Sequence, residues 1–154
     1  MADIVSPAKR SRMMAGIKGK NTKPEIMIRK LLHRHGFRFR LHRKDLPGRP
    51  DIVLTKYKAV IFVNGCFWHG HENCKLFRIP KSRSDFWENK INGNKQRDLE
   101  KVEKLRLDWR VVFIWECAVK GTQKLGNACL IDQIKGFLHS SESFDEIRGT
   151  QFDA

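Results

Sequence analysis

No apolar run in this sequence exceeds five residues; the longest, Ala59 to Val63 and Val111 to Trp115, fall far short of the roughly 20 needed to span a bilayer. No membrane span is expected. The N-terminus likewise has no apolar stretch of signal-peptide length before its basic residues, so a reducing cytoplasm is the expected compartment. Cysteine is scarce, with four in 154 residues, and in that compartment four thiols serve as metal ligands or core residues rather than as disulfides. There is no internal repeat, no low-complexity tract and no composition shift that would mark a second folded domain. Acidic residues are short too. Seventeen Asp and Glu face 31 Lys and Arg, a formal +14 at pH 7. That balance points to a polyanion, and to nucleic acid over anionic lipid, because no long basic amphipathic stretch resembles a membrane-surface helix.

What is present suffices for a core. Apolar residues make up 40% and aromatics 10%, which at this length excludes wholesale disorder. The charge is uneven: through residue 50 there are 14 basic residues against Asp3, Glu25 and Asp45, and the other 104 residues carry 17 against 14. The division expected is a basic N-terminal arm (1–20), a single domain (21–140) and a polar tail (141–154). Lys9, Arg10 and Arg12 lie in the arm, whose composition suits ordering on a polyanion.

Thr22 with Glu25 has the spacing of a capping box, Pro24 fits a first helical turn, and Gly36 closes that helix. Glu25 projects from the same side as the buried Ile28, Leu31 and Leu32, as a cap or as part of a site. Phe37, Phe39 and Leu41 alternate with Arg38, Arg40 and His42, the period of a half-buried strand with a basic outer face. LPGRP (46–50) is a turn, and DIVLT and YKAVIFVNG read as two strands. An irregular segment precedes helical sequence over 85–107, interrupted near Asn92 and Gly93, with Leu99, Val102 and Leu105 as its buried stripe. WRVVFIW is another buried strand, and a last helix over 124–138 turns Leu130, Ile131, Ile134 and Phe137 inward. The order implies an α/β fold with a mixed sheet and helices on its faces.

Cys66, His71 and Cys74 fall within nine residues just after a central strand, and Cys117 follows another strand able to lie beside it. Three thiolates and an imidazole would close a tetrahedral structural zinc site; the alternative is that Cys66 and Cys117 are buried apolar cysteines. Cys129, between Ala128 and Leu130, reads as core. Asp51 opens a strand where a carboxylate can meet a hard cation such as Mg²⁺, or simply serve a turn. His69 has the chemistry to activate water or move a proton; the alternatives are a surface histidine or a ligand in place of His71. Phe67, Trp68, Phe86 and Trp87 stand among cations, where aromatics either stack on bases or fill a core.

Taken together, PGRPD at 47–51, VIFVNGCFWHGH at 60–71, SDFWENKINGNKQRD at 84–98 and WRVVFIWEC at 109–117 resemble the very short patch repair (Vsr) endonucleases of bacteria, in order and at family spacing across residues 8–140. The resemblance implies a restriction-endonuclease-like fold and a strand-nicking DNA endonuclease that cuts 5′ to the thymine of a T:G mismatch left by 5-methylcytosine deamination. It implies Asp51 as the Mg²⁺ carboxylate with the Val63 carbonyl beside it, Glu25 orienting water, and His69 assisting the nucleophile. Cys66, His71, Cys74 and Cys117 become zinc ligands, and Phe67, Trp68 and Trp87 aromatics inserted beside the mismatch. Asn94 and Arg97 match polar positions near DNA. Position 64 is Asn where a histidine often stands near the scissile phosphate, and HGHENC places its last cysteine one residue further along than in some members. The implied partners are mismatched duplex DNA and mismatch-repair proteins such as MutL, for a monomer in the nucleoid-bearing cytoplasm. The rival readings are a restriction-type enzyme on paired DNA and a zinc-stabilised binding module without catalysis.

Overall fold

The structure is a computed structural model that describes residues 21–150; Lys9, Arg10 and Arg12 lie outside them. Helix α1 (Lys23–Arg34) starts where the Thr22 side chain accepts from the Glu25 N–H at 3.4 Å, and Gly36, at φ +81°, turns the chain out of it. Strands β1 (Arg40–Leu41), β2 (Ile52–Leu54) and β3 (Ala59–Asn64) follow. Helix α2 (Ser84–Leu105), strand β4 (Arg110–Trp115), helix α3 (Asn127–Leu138) and strand β5 (Phe144–Ile147) complete the order. The five strands form one mixed sheet in chain order, with β1, β2 and β3 antiparallel and β3, β4 and β5 parallel.

Alternation along the strands divides the core into two layers. Ile52, Leu54, Ile61, Val112 and Ile114 face α1 and α3, meeting Ile28, Leu32, Leu130 and Ile134. Val53, Val60, Phe62, Val111 and Phe113 face the other way, where α2 contributes Val102 and Leu105. The sheet is thus covered on both sides, which explains why β3 and β4 read as continuous apolar runs. The α/β class and mixed sheet match the sequence-based expectation. Among the described residues, no helix is long and apolar enough to cross a membrane.

Several local expectations differ. The strand expected through His42 stops after two residues, because His42 adopts a left-handed φ of +47° that reverses the alternation. Leu41 is left exposed and the His42 ring turns inward. Helix α2 runs unbroken through Asn92 and Gly93; packing outweighs the roughly 1 kcal/mol that an interior glycine costs. Its buried stripe is Ile91, Asp98, Val102 and Leu105, while Leu99 is 61% exposed. Cys129 is on the outer face of α3, exposed rather than core. Strand β5, within the polar tail, was not anticipated.

Candidate active site

Two clusters flank β3. On one side, Glu25, His42 and Asp51 bring their ligand atoms within 4.8 Å of one another. Glu25 is 1% exposed, on the inner face of α1. Its Oε2 meets the Arg29 guanidinium at 2.9 Å and the Asn21 N–H, and its Oε1 meets His42 Nε2 at 2.5 Å. The glutamate therefore ties down the chain entering the helix and also lies in a cluster that could hold a metal, the two roles left open by its position in sequence. Asp51 leads into β2, and its Oδ2 accepts from the Val63 N–H at 2.7 Å. Val63 thus touches Asp51 through its amide. Burial pushes the Asp51 carboxyl up to about 6; the Val63 N–H opposes this, the negative charge of Glu25 adds to it, and Lys101 and His42 oppose it. Two carboxylates held together at such expense could share a cation.

His69 lies in the irregular segment after β3, where its Nδ1 meets Asp98 Oδ2 at 2.6 Å. A carboxylate only accepts, so Nδ1 carries the proton, and in the neutral ring Nε2 is left as an acceptor. Asp98 in turn receives Lys101 Nζ on Oδ1 at 2.9 Å. Burial pushes Asp98 up, but the His69 hydrogen bond and the charges of His69 and Lys101 hold it below the usual carboxylate range. Lys101 also lies over the Phe62 ring at 4.1 Å and its charge reaches Asp51, so it links the His69 side to the Asp51 side. Sequence reasoning missed Asp98, Lys101 and His42. A charge on the apolar stripe of α2, four residues before Val102, was the available signal for Asp98.

Beyond β3, Cys66, His71, Cys74 and Cys117 also lie with ligand atoms within 4.8 Å of one another, and all are free thiols or imidazole. His71 Nδ1 is 3.4 Å from Cys66 Sγ and 3.6 Å from Cys117 Sγ. Bonds of about 2.0–2.3 Å to a tetrahedral metal give ligand separations of about 3.5 Å, so these side chains fit a metal. The backbone N–H of Gly149 donates to Cys117 Sγ at 3.3 Å, that of Cys117 to Cys66 Sγ at 3.4 Å. The bond shared with Cys66, against the cost of burial and helped by His71 and Gly149, holds Cys117 down to about 4; that same bond and burial push Cys66 up. The His71 ring stacks on Trp115, 3.8 Å between centroids and 4° from parallel.

The segment after β3 also carries an aromatic group. Phe67 lies 5.1 Å from Trp68 and 5.5 Å from Trp87, and the two tryptophans are 5.9 Å apart. All three are half-buried, and Phe86 is 44% exposed beside Trp87. Asn94 donates to the Trp68 carbonyl at 2.8 Å and accepts from Arg97, so these polar residues brace the aromatic loop. Gly70, at φ +60°, lets that loop press on α2; a Cβ there would lie 2.7 Å from Ile91 Cγ2. Asn64 is 2% exposed at the end of β3, and its Nδ2 finds no partner among the described residues.

A family model described as DNA mismatch endonuclease Vsr matches residues 2–76. The type II nicking enzyme V.XorIIP of Xanthomonas oryzae pv. oryzae is 51% identical over 76% of this chain and 86% of its own length. V.NmeAIP, a type II nicking enzyme of Neisseria meningitidis, is 47% identical over 78% and 86%. The DNA mismatch endonuclease Vsr of Escherichia coli K12 is 41% identical over 90% and 88%. With a matching motif set and relatives this similar across most of their length, the chain belongs to the DNA mismatch endonuclease Vsr family.

Proposed function

We propose that this protein nicks one strand of duplex DNA on the 5′ side of the thymine in a T:G mismatch, the lesion left when 5-methylcytosine deaminates. Family membership makes it a DNA mismatch endonuclease, and the observation that carries the finer reading is the aromatic cluster of Phe67, Trp68 and Trp87 on the same post-β3 segment as His69. Half-buried rings on a braced loop suit insertion between base pairs, which costs least where pairing is already weak. An enzyme reading an intact site has no such need, which weighs against the restriction-type reading.

Asp51, with the Val63 backbone carbonyl, would hold Mg²⁺, whose oxygen preference both meet, and Glu25 would orient a water beside it. Bound there, the cation would lower the pKa of water and offset charge on the phosphate. His69, its ring fixed by Asp98, keeps Nε2 free to take a proton from the attacking water or pass one on. Asn64 offers an amide donor suited to a phosphate oxygen, which it can bind but not protonate. Arg97 and Asn94, with Lys9, Arg10 and Arg12 of the arm, add contacts to DNA that hold its position and weaken with salt.

Cys66, His71, Cys74 and Cys117 would hold Zn²⁺. Four protein ligands leave no open position, so the role is structural. The reading also takes the protein as a monomer in the cytoplasm, with mismatch-repair proteins such as MutL as accessory partners.

A nicking assay tests the proposal: labelled duplexes differing only in a T:G or T:A pair, incubated with and without Mg²⁺. Cutting confined to the T:G strand in Mg²⁺ supports it, and equal cutting of the paired duplex would refute the mismatch specificity.

A further inference from the structure

His42 reaches both carboxylate-bearing segments of the site. Continuing the alternation of 37–41 would carry its ring outward with Arg38 and Arg40, yet φ of +47° turns it in. For a residue with a side chain that conformation is strained. Its backbone N–H still donates to the Asp51 carbonyl at 3.2 Å, while its ring contacts Glu25 Oε1 at 2.5 Å. Facing a carboxylate, Nε2 must be the donor.

The partners of Glu25 are divided between its oxygens. Arg29 and the Asn21 N–H occupy Oε2; among the described residues, His42 alone occupies Oε1. A carboxylate held at one oxygen can still rotate about its terminal torsion, whose minimum is broad. A donor on the second oxygen removes that freedom. Without it, a glutamate beside Asp51 has every electrostatic reason to turn away.

We propose that His42 is a positioning residue of this enzyme: its Nε2–H fixes the rotation of the Glu25 carboxylate so that Glu25 and Asp51 serve one cation and one water together. The proposal rests on reading Glu25 and Asp51 as the cleavage centre. His42 acts through Glu25, touching neither DNA nor the reacting atoms.

Two substitutions separate this role from mere support of the fold. His42→Asn tolerates the left-handed backbone but is too short to reach Glu25. His42→Gln is long enough for its amide to donate to the same oxygen. Single-turnover nicking, duplex affinity and Mn²⁺ binding followed by electron paramagnetic resonance are measured for both variants, for Glu25→Gln and for the His42→Asn/Glu25→Gln double variant. In His42→Asn the nicking rate should fall on the order of 10- to 100-fold, the loss typical of a misplaced catalytic group. Duplex affinity should stay within about twofold and Mn²⁺ binding weaken several-fold, while His42→Gln recovers most of both losses. Adding His42→Asn to Glu25→Gln should cost nothing more, because the two residues act as one unit.

Additive losses, a Gln variant as damaged as the Asn variant, or unchanged rate and Mn²⁺ binding in His42→Asn would each overturn the proposal. Asp51→Ala keeps the two levels apart. If Asp51→Ala still nicks, the reading of the centre fails; if it is inactive while His42→Asn is normal, the positioning role alone fails.

Discussion

The two clusters beside β3 are made of opposite materials. Beside His42, the buried Glu25 and the half-buried Asp51 bring like-charged oxygens together at the start of β2, where burial and mutual repulsion push Asp51 up to about 6. Cys66, His71 and Cys117 sit in the interior, where both cysteine sulfurs accept backbone N–H groups and the His71 ring stacks on Trp115. The first arrangement stores unfavourable charge that a bound cation and substrate can relieve. The second is satisfied and closed. On the proposed reading, one site reacts and the other holds the irregular segment that carries His69 and the aromatics, so loss of either should have distinct signatures.

The largest expected effect is at Asp51. Asp51→Asn should lower the nicking rate on the order of 10³-fold, since a cation-binding carboxylate is worth several kcal/mol in the transition state, and the folded state should survive. Gel-based single-turnover assays and thermal melts check both halves. A large rate loss accompanied by unfolding would blur the contrast between the clusters. Cys66→Ala should show the reverse order: the bound metal is lost, the melting temperature falls by roughly 10 °C or more, and nicking fails because the fold does. Elemental analysis, together with melting before and after chelator treatment, reads this out.

Trp68→Ala and Trp87→Ala should fall between the two. Stacking is worth about 1–3 kcal/mol per base, so each variant should lose about 5- to 150-fold in preference for T:G over T:A duplex, with its melting temperature little changed. Competition binding against paired DNA measures it.

The smallest effect is on pH dependence, and its sign differs with and without cation. A carboxyl raised from 3.8 to about 6 favours the metal-free fold only when protonated; that contribution is present below pH 4 and lost as pH rises past 6. Metal-free Asp51→Asn should therefore melt a few degrees above wild type at pH 7.5, with the gap closing toward pH 4. A cation needs the ionised form, so cation affinity should drop about tenfold per pH unit below 6. Melting curves and cation titrations across pH 4–8 test the two slopes.

How far the sequence reveals these sites follows from the range of the interactions. Strands β2, β3 and β4 are visible because their side chains face core on both sides of the sheet, giving apolar runs that need no partner to be recognised. The Cys/His quartet is equally visible, since three of its members lie within nine residues. His42 is hidden because one left-handed residue reverses a two-residue periodicity, and nothing local demands that φ until Glu25 is across from it. Asp98 is masked by Leu99 beside it: a one-residue error in helix phase exchanges an exposed leucine for a buried aspartate. Strand β5 buries Ile147 and half-buries Phe144, with Asp145 and Glu146 exposed, so only pairing with β4 makes it a strand.

On the proposed reading, separate structures choose the site and cut it. The most direct test follows binding and nicking together for wild type and Asp51→Asn on T:G and T:A duplexes in Mg²⁺. Asp51→Asn should still prefer T:G duplex as wild type does, while nicking it on the order of 10³-fold more slowly. Loss of T:G preference together with nicking, in a variant that melts normally, would contradict that reading.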